Sequence, residues 1–422
     1  MSKCDAVLIV GGGLLQAPLV QEAQALGLLP LVTDRNPHAP AFKLPGAQPF
    51  VLDTYDVAGH EELMRDLMRM YTVRGVCTAG ADVAATVAAA AAVAGTPGIP
   101  LEVALQTQSK LHVRSLLTQA SLHCYQPAYC WRSLAECEWP SISVTSVLDW
   151  PFVVKPLAQR ASRGITIIQD QAMLETAIRH AASFGGATLL FEEYLTGTEH
   201  SVEGIFDAEG GLLWLNIVDR FFDYSSGVPI ETGHVNPSAL VPRIGTAVAR
   251  MFGTVAHVLG VDWGPFKIDV LVTPEGHPKV LECAARLSGG WDCQGTSPLT
   301  GRHPMRALLQ LACSLPVEAP LTWAPAQGYA ACAAILVQGI GCITRMPNTY
   351  ELMLWLENER MKPGSHIEQI LWVAKLGDSI APAAHNGERA GFVLAHASTD
   401  QEAWHQAKTA ADALAAAVEV IA

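Results

Sequence analysis

The feature that most constrains the fold is a change of rhythm near Pro151. Before it, short apolar runs alternate with segments of helical period. Strands are expected at Ala6 to Val10, Leu29 to Thr33 and Gly75 to Thr78, and helices at Leu14 to Leu26, Glu61 to Tyr71 and Asp82 to Ala94. Such an order needs crossover connections and predicts a parallel sheet flanked by helices. Thr96-Pro-Gly-Ile-Pro100 punctuates the end of this unit, and a helix is expected near Lys110 to Ala120.

From Pro151 the pattern becomes strands joined by turns: Phe152 to Lys155, Gly164 to Gln169, Thr188 to Tyr194, Glu199 to Asp207 and Leu212 to Asp219, with one helix at Ala172 to Phe184. A polar loop is predicted from Phe221 to Pro237, then a helix at Ile244 to Leu259 and two strands, Phe266 to Val272 and Lys279 to Ala284. Beyond Tyr329 come further strands and an Ala-rich helix, Glu402 to Val420. A chain of 422 residues suits two or three packed units. The divisions expected are an N-terminal Rossmann-like unit over 1–107, a central region over 108–315 and a C-terminal α+β portion over 316–422.

Composition narrows the class. Half the residues are hydrophobic and 16% are charged, which predicts a compact globule. A formal charge of -13 argues against nucleic-acid and anionic-membrane partners, which need clustered Lys and Arg. The ten cysteines show no CxxC spacing and read as reduced, mostly buried thiols. The N-terminus lacks the pattern of a secretory leader, and the Ala-rich run from Val83 to Ala94 is too short to span a bilayer, so a cytoplasmic protein is expected.

Gly11-Gly12-Gly13 after the first strand, with Asp34 ending the second, invites a dinucleotide-binding reading, but Gln16 stands where the third glycine of GxGxxG belongs. A structural turn into the helix is the alternative. More informative are Asp269 and Glu282. Folding the chain about a tip at Glu275-Gly276 sets these acids opposite each other on one face, with Cβ atoms about 5 Å apart. Like charges so placed repel unless one is protonated or a cation bridges them, and magnesium suits carboxylates that share it with substrate phosphates. The competing reading is an exposed hairpin with solvated acids. Arg286 has the strand parity of Glu282, and Gly289-Gly290 allows close approach of backbone to a ligand or forms a plain turn. Lys155, before the polar stretch Gln159 to Gly164, fits phosphate handling or a snorkelling lysine.

Taken in order, these features resemble the ATP-grasp superfamily over nearly the whole chain. Lys110, opening Lys-Leu-His-Val-Arg-Ser, and Lys155 in Pro-Phe-Val-Val-Lys-Pro resemble the family's two nucleotide-phosphate lysines. Gln159 to Gly164, including Ser162, Arg163 and Gly164, resembles its phosphate-covering loop. Phe-Glu192-Glu193-Tyr194-Leu195 resembles the hinge that reads adenine, and Glu199 the acid that holds the ribose. The resemblance implies an α/β ATP-grasp fold with an N-terminal parallel-sheet domain, ATP as co-substrate, and magnesium (or manganese) held by Asp269 and Glu282. Arg286 would neutralise the transferring phosphate. Ala284 stands where family members commonly have Asn, which implies a metal ligand lost or replaced by water. Asp269 is one methylene shorter than the family's usual glutamate.

Within the superfamily the chain is most similar to L-amino acid ligases. Glu231-Thr-Gly-His234 matches the acid-to-histidine spacing at that branch's amino-acid site, and Arg286 with Gly289 and Gly290 its pocket wall. A solvated Glu and a structural His are the alternative for the first motif. The implied reaction activates a small-molecule carboxylate as an acyl phosphate and couples it to an amine, releasing ADP and phosphate. A carboxylase or purine-pathway ligase, a nucleotide-binding protein without ligase activity and an oxidoreductase are the rivals, and a homodimer is the default assembly.

Overall fold

A computed structural model describes residues 3–134, 144–157, 163–185, 187–225, 228–317, 327–348, 351 and 366–421. The N-terminal unit is a parallel sheet of β1 (Asp5–Val10), β2 (Leu29–Asp34), β3 (Gln48–Val51) and β4 (Thr72–Cys77), in the order β3-β2-β1-β4. The central strand β1 is covered on both sides, which is why it is a continuous apolar run. Val7 and Ile9 pack with the helices Ala17–Ala25 and Pro304–Ala312, whereas Ala6, Leu8 and Val10 pack with Met64 and Leu67 of helix Val57–Met70 and with Ala90 of helix Ala84–Ala94. Pro304–Ala312 thus joins the first unit to the rest of the chain.

The glycine turn after β1 is closed by protein groups. Gly12 N–H donates to Asp34 at 2.9 Å, Gly13 N–H donates to Gln16 Oε1 at 3.0 Å, and the Gln16 amide donates to the Ala79 carbonyl. A Cβ on Gly12 would lie 3.0 Å from Ala39 Cβ. Asp34, the acid a dinucleotide site would use on ribose, is occupied within the turn, which favours the structural reading of this motif.

A second sheet, β5-β8-β6-β7, is antiparallel: β5 (Tyr129–Ser133), β6 (Phe152–Pro156), β7 (Thr166–Ile168) and β8 (Thr188–Glu193). Helix Gln171–Ser183 covers it, capped by Asp170, which accepts from the N–H groups of Ala172 and Met173.

The third sheet has eight antiparallel strands in the order β13-β12-β9-β10-β11-β14-β18-β16. Their ranges are β9 (Thr198–Phe206), β10 (Leu212–Asp223), β11 (Ile230–Asn236), β12 (Gly264–Val272), β13 (Pro278–Ala284), β14 (Tyr329–Ile335), β16 (His366–Trp372) and β18 (Gly391–Ala397). Strands from before and after residue 316 share this sheet, so the C-terminal portion completes it. Helix Val241–Val258 lays Ile244, Val248, Met251, Phe252 and Val255 against β9, β10 and β12 at helical spacing, and helix Asp400–Ala416 lays an alanine stripe on the β14–β18 end. Three short strands, β15 (Gly341–Arg345), β17 (Ser379–Ile380) and β19 (Glu419–Ile421), form a small sheet.

Two expectations need correction. Phe221 to Pro237 is not a loop: β10 runs to Asp223 and β11 occupies Ile230–Asn236. Its polarity misleads because Glu231 and His234 have charged partners inside the protein, and Gly233 serves close packing, since a Cβ there would meet the Cys332 carbonyl oxygen at 2.1 Å. The last helix ends at Ala416 and gives way to β19. Strands β3, mostly exposed, and β5, mostly half-buried, are short, carry little apolar periodicity and escape the sequence reading.

Candidate active site

The β12–β13 turn produces the pairing expected of the two acids by an indirect route. Near the tip the register is Val272↔Pro278 and Val270↔Val280, one residue off the simple fold-back, and a bulge beyond Val270 restores Asp269↔Glu282. Both carboxylates line a cavity of about 580 Å³ enclosed by β6–β8, the inner strands of the large sheet, the loop after β4 and the turn before β18. Each has a cationic neighbour. Lys267 Nζ lies 2.6 Å and Arg220 Nη1 3.0 Å from Asp269 Oδ1, and Lys110 Nζ is 3.0 Å from Glu282 Oε1. Burial works to raise the Asp269 carboxyl, but Arg220 and Lys267 outweigh it and hold it below the usual range.

Among the described residues no cluster of three or more metal-ligating side chains occurs. Two carboxylates across one strand pair, facing a cavity wide enough for phosphates, still suit magnesium, which takes its remaining ligands from substrate oxygens and water. Ala284 lies opposite Lys267 in the register, so no side-chain oxygen is supplied from that position.

At one end of the cavity, Lys155 at the close of β6 meets Glu192 of β8 in a buried ion pair, and Arg114 Nε reaches the same carboxylate at 2.8 Å. Burial pushes the Lys155 ammonium down while Glu192 pulls it up; burial raises the Glu192 carboxyl, and Arg114 and Lys155 together bring it below its usual value. The Glu192 side chain is thus engaged inside the protein, and Arg114, an unremarkable helix residue in the sequence, is its second clamp. Glu193 accepts from the Ala128 N–H at 3.1 Å, and Tyr194 and Leu195 border the cavity beside it. Glu199 accepts from the Tyr224 hydroxyl at 3.0 Å, with its carboxyl raised by burial. Of the expected covering loop, Ser162 lies outside the described residues, Arg163 is exposed, and Gly164 adopts φ +74, a conformation that favours glycine.

At the other end Glu231 projects from β11. Arg220 donates to it through Nε at 2.9 Å and Nη2 at 3.1 Å, Arg389 Nη1 stands 3.5 Å away, and its own N–H donates to Asn386 Oδ1 at 2.8 Å. Burial alone would raise this carboxyl; the two guanidiniums drive it down to about 2. Glu231 is thus neither solvated nor in need of a ligand cation for its charge, because the protein supplies two guanidiniums. His234 does not border the cavity: its Nε2 lies 2.8 Å from Asp292 and 3.2 Å from Thr296, so it acts on Asp292, which does.

Arg286 donates to Asp82 at 2.6 Å, and Gly80 N–H donates to the Leu287 carbonyl at 3.2 Å. The loop after β4 thereby reaches the site, and Gly289 packs so closely on it that a Cβ would stand 2.9 Å from the Gly80 oxygen. Gly290 borders the cavity. Asp82, Arg114, Arg220, Lys267 and Arg389 are the residues that sequence reasoning missed. Only Lys267 carried a usable signal: on β12 it alternates with Phe266 and Ile268 and so shares the face of Asp269.

A family profile described as an ATP-grasp domain matches residues 148–294. A D-alanine--D-alanine ligase of Anaeromyxobacter sp. (strain Fw109-5) is 31% identical over 133 residues, 31% of this chain and 42% of that protein. A phosphoribosylamine--glycine ligase of Synechocystis sp. (strain ATCC 27184 / PCC 6803 / Kazusa) is 26% identical over 212 residues, 47% of this chain and 49% of the relative. The chain thus spans less than half the length of these curated relatives. The crystal structure of an L-amino acid ligase from Bacillus licheniformis superposes over 100% of this chain and 99% of its own, with a TM-score of 0.76 and 21% identity. A phosphoribosylglycinamide synthetase from Anaerococcus prevotii does so over 99% of each chain, with a TM-score of 0.71 and 14% identity. From the profile and the shared architecture, the chain carries an ATP-grasp domain and has the ATP-grasp fold.

Proposed function

We propose that the protein is an ATP-dependent carboxylate–amine ligase that activates the carboxylate of an amino acid as an acyl phosphate and joins it to an amine. The observation that carries this reading is that one cavity is bordered by a buried lysine (Lys155), a facing acid pair (Asp269 and Glu282), a guanidinium (Arg286) and a buried acid (Glu231). The residues proposed for ATP are Lys110, Lys155, the Ser162–Gly164 segment, the Glu192–Leu195 strand end and Glu199. Those proposed for the amino acid are Glu231, His234 through Asp292, Arg286, Gly289 and Gly290.

Magnesium on Asp269 and Glu282 would supply charge neutralisation at the phosphates. The side chains do the rest by position. Lys155 and Lys110 offset negative charge on phosphate oxygens, and Arg286, its angle fixed by Asp82, offsets charge as the carboxylate oxygen attacks the γ-phosphorus. The P–O bond to ADP breaks as the new one forms; an amine then attacks the acyl carbon, loses a proton and expels phosphate. Closure of the site over the substrates would keep out the water that hydrolyses the intermediate. Glu231 shares its negative charge between Arg220 and the substrate ammonium. Among the described residues no helix is long and apolar enough to cross a membrane; the reading places the enzyme in the cytoplasm, acting on small molecules.

A second reading, a nucleotide-binding protein without ligase activity, draws on Lys267, whose ammonium sits on Asp269 beside Ala284 and competes for the position of a metal. Incubation with ATP, magnesium and paired amino acids, with phosphate release and product masses recorded, separates the two. Amide products with equimolar phosphate support the ligase, whereas bound ATP without turnover across the panel supports the second reading.

A further inference from the structure

The geometry points to a carboxylate-binding subsite at Arg389, which would make the preferred amino-acid substrate one with an acidic side chain; this rests on the ligase reading above. Arg389 precedes β18 and closes the cavity at the end away from Lys155. Its guanidinium is held in place from three sides. Nε donates to the Asn386 carbonyl at 2.8 Å, Nη1 donates to the Glu231 carbonyl at 3.4 Å, and the plane lies over the Phe392 ring at 4.9 Å. Those contacts use Nε and Nη1, so among the described residues no acceptor engages Nη2.

The charge of Arg389 is also poorly compensated. Its nearest carboxylate oxygen, Glu231 Oε2, lies 3.5 Å away, and both oxygens of that carboxylate already receive shorter bonds from Arg220. Burial accordingly pulls the Arg389 guanidinium below its usual range despite Glu231. A partly buried, oriented guanidinium with spare donor capacity facing a ligand cavity is suited to a carboxylate. The carboxylate to be activated is assigned to the other side of the sheet: Asp269 and Glu282 stand on β12 and β13 and Arg286 follows β13, with β9 and β10 between them and β11, although Arg220 of β10 reaches both Asp269 and Glu231. With the ammonium at Glu231 and the reacting carboxylate turned toward Arg286, the group left to face Arg389 is the side chain. Glutamate and aspartate provide the anion, and their amides are the neutral isosteres.

Calorimetric titration of the magnesium–ATP-analogue complex with glutamate, glutamine, aspartate and asparagine tests the subsite. Each acid is expected to bind about ten- to a hundredfold tighter than its amide, the range for one charge-assisted hydrogen-bonded pair. Arg389→Gln should erase that preference while leaving the affinity for the ATP analogue within about twofold. Arg389→Lys, which keeps the charge and loses the fork, should retain part of it. Equal binding of acid and amide by the unaltered protein overturns the subsite, even if Arg389→Gln fails to fold, and so does a preference that survives in a folded Arg389→Gln. Phosphate release with neutral amino acids alone would sink the subsite and leave the ligase; an Arg389-dependent preference without any phosphate release would sink the ligase and leave the subsite.

Discussion

Glu231→Gln removes one charge from the best-compensated carboxylate of the site and keeps its shape. Glu231 is bidentate to Arg220 and near Arg389, and its carboxyl sits at about 2 instead of the usual 4.5. The difference makes its charged form contribute about 3 kcal/mol to folding at neutral pH. Truncations of buried ion pairs cost about 3–5 kcal/mol, and the retained amide oxygen places this variant at the lower end. The sign is fixed by the direction of the shift. A depressed carboxyl stabilises the fold above its unfolded value and loses that contribution as pH falls toward its folded value. The gap between parent and variant should therefore be about 3 kcal/mol at pH 7 and about 2 kcal/mol at pH 3.5, vanishing only below about pH 2. Urea unfolding of both proteins at pH 7 and near pH 4, read by tryptophan fluorescence, measures it. A gap under about 0.5 kcal/mol at pH 7 would mean that the Arg220–Glu231 pair is not formed in solution.

Asp269→Asn should lower the melting temperature, because it takes the negative charge from between Lys267 and Arg220, and Glu282→Gln should lower it less; both should abolish magnesium-dependent turnover and magnesium-dependent tightening of ATP binding, and normal turnover in both at ordinary magnesium concentrations would refute the paired-acid assignment. Glu203, fully buried on β9, has its carboxyl pushed up to about 7 by burial and then by Asp292. It keeps its proton in the folded state below about pH 7, so its favourable contribution holds below about pH 4.5 and is lost as pH rises through about 7. Glu203→Gln should flatten that part of the stability–pH curve, and an unchanged curve would contradict the buried acid. Asp82→Ala should release Arg286 and lower kcat by about tenfold or more with little change in the Michaelis constant for ATP, and equal loss in both parameters would show that the contact only holds the units together.

What the sequence disclosed depended on how local the cause was. The alternation before Pro151 gave the parallel sheet because β1 and β2 meet their cores through residues a few positions apart. Asp269 and Glu282 were legible because one short turn sets their relation, although a bulge the sequence does not announce was needed to deliver it. Strand β11 was hidden because its polar residues are neutralised by Arg220, Arg389 and Asp292, distant in sequence. Arg114 and Asp82 were hidden for the same reason: nothing in their own segments distinguishes a clamp on Glu192 or Arg286 from a solvated charge.

Trapping the activated intermediate tests the central claim most directly. The protein is incubated with ATP, magnesium, one amino acid and hydroxylamine in place of the second substrate, and the nucleotide and acyl products are both identified. If the carboxylate attacks the γ-phosphoryl, hydroxylamine intercepts the acyl phosphate, and aminoacyl hydroxamate, ADP and phosphate accumulate in equal amounts. Hydroxamate accompanied by AMP and pyrophosphate would contradict the account.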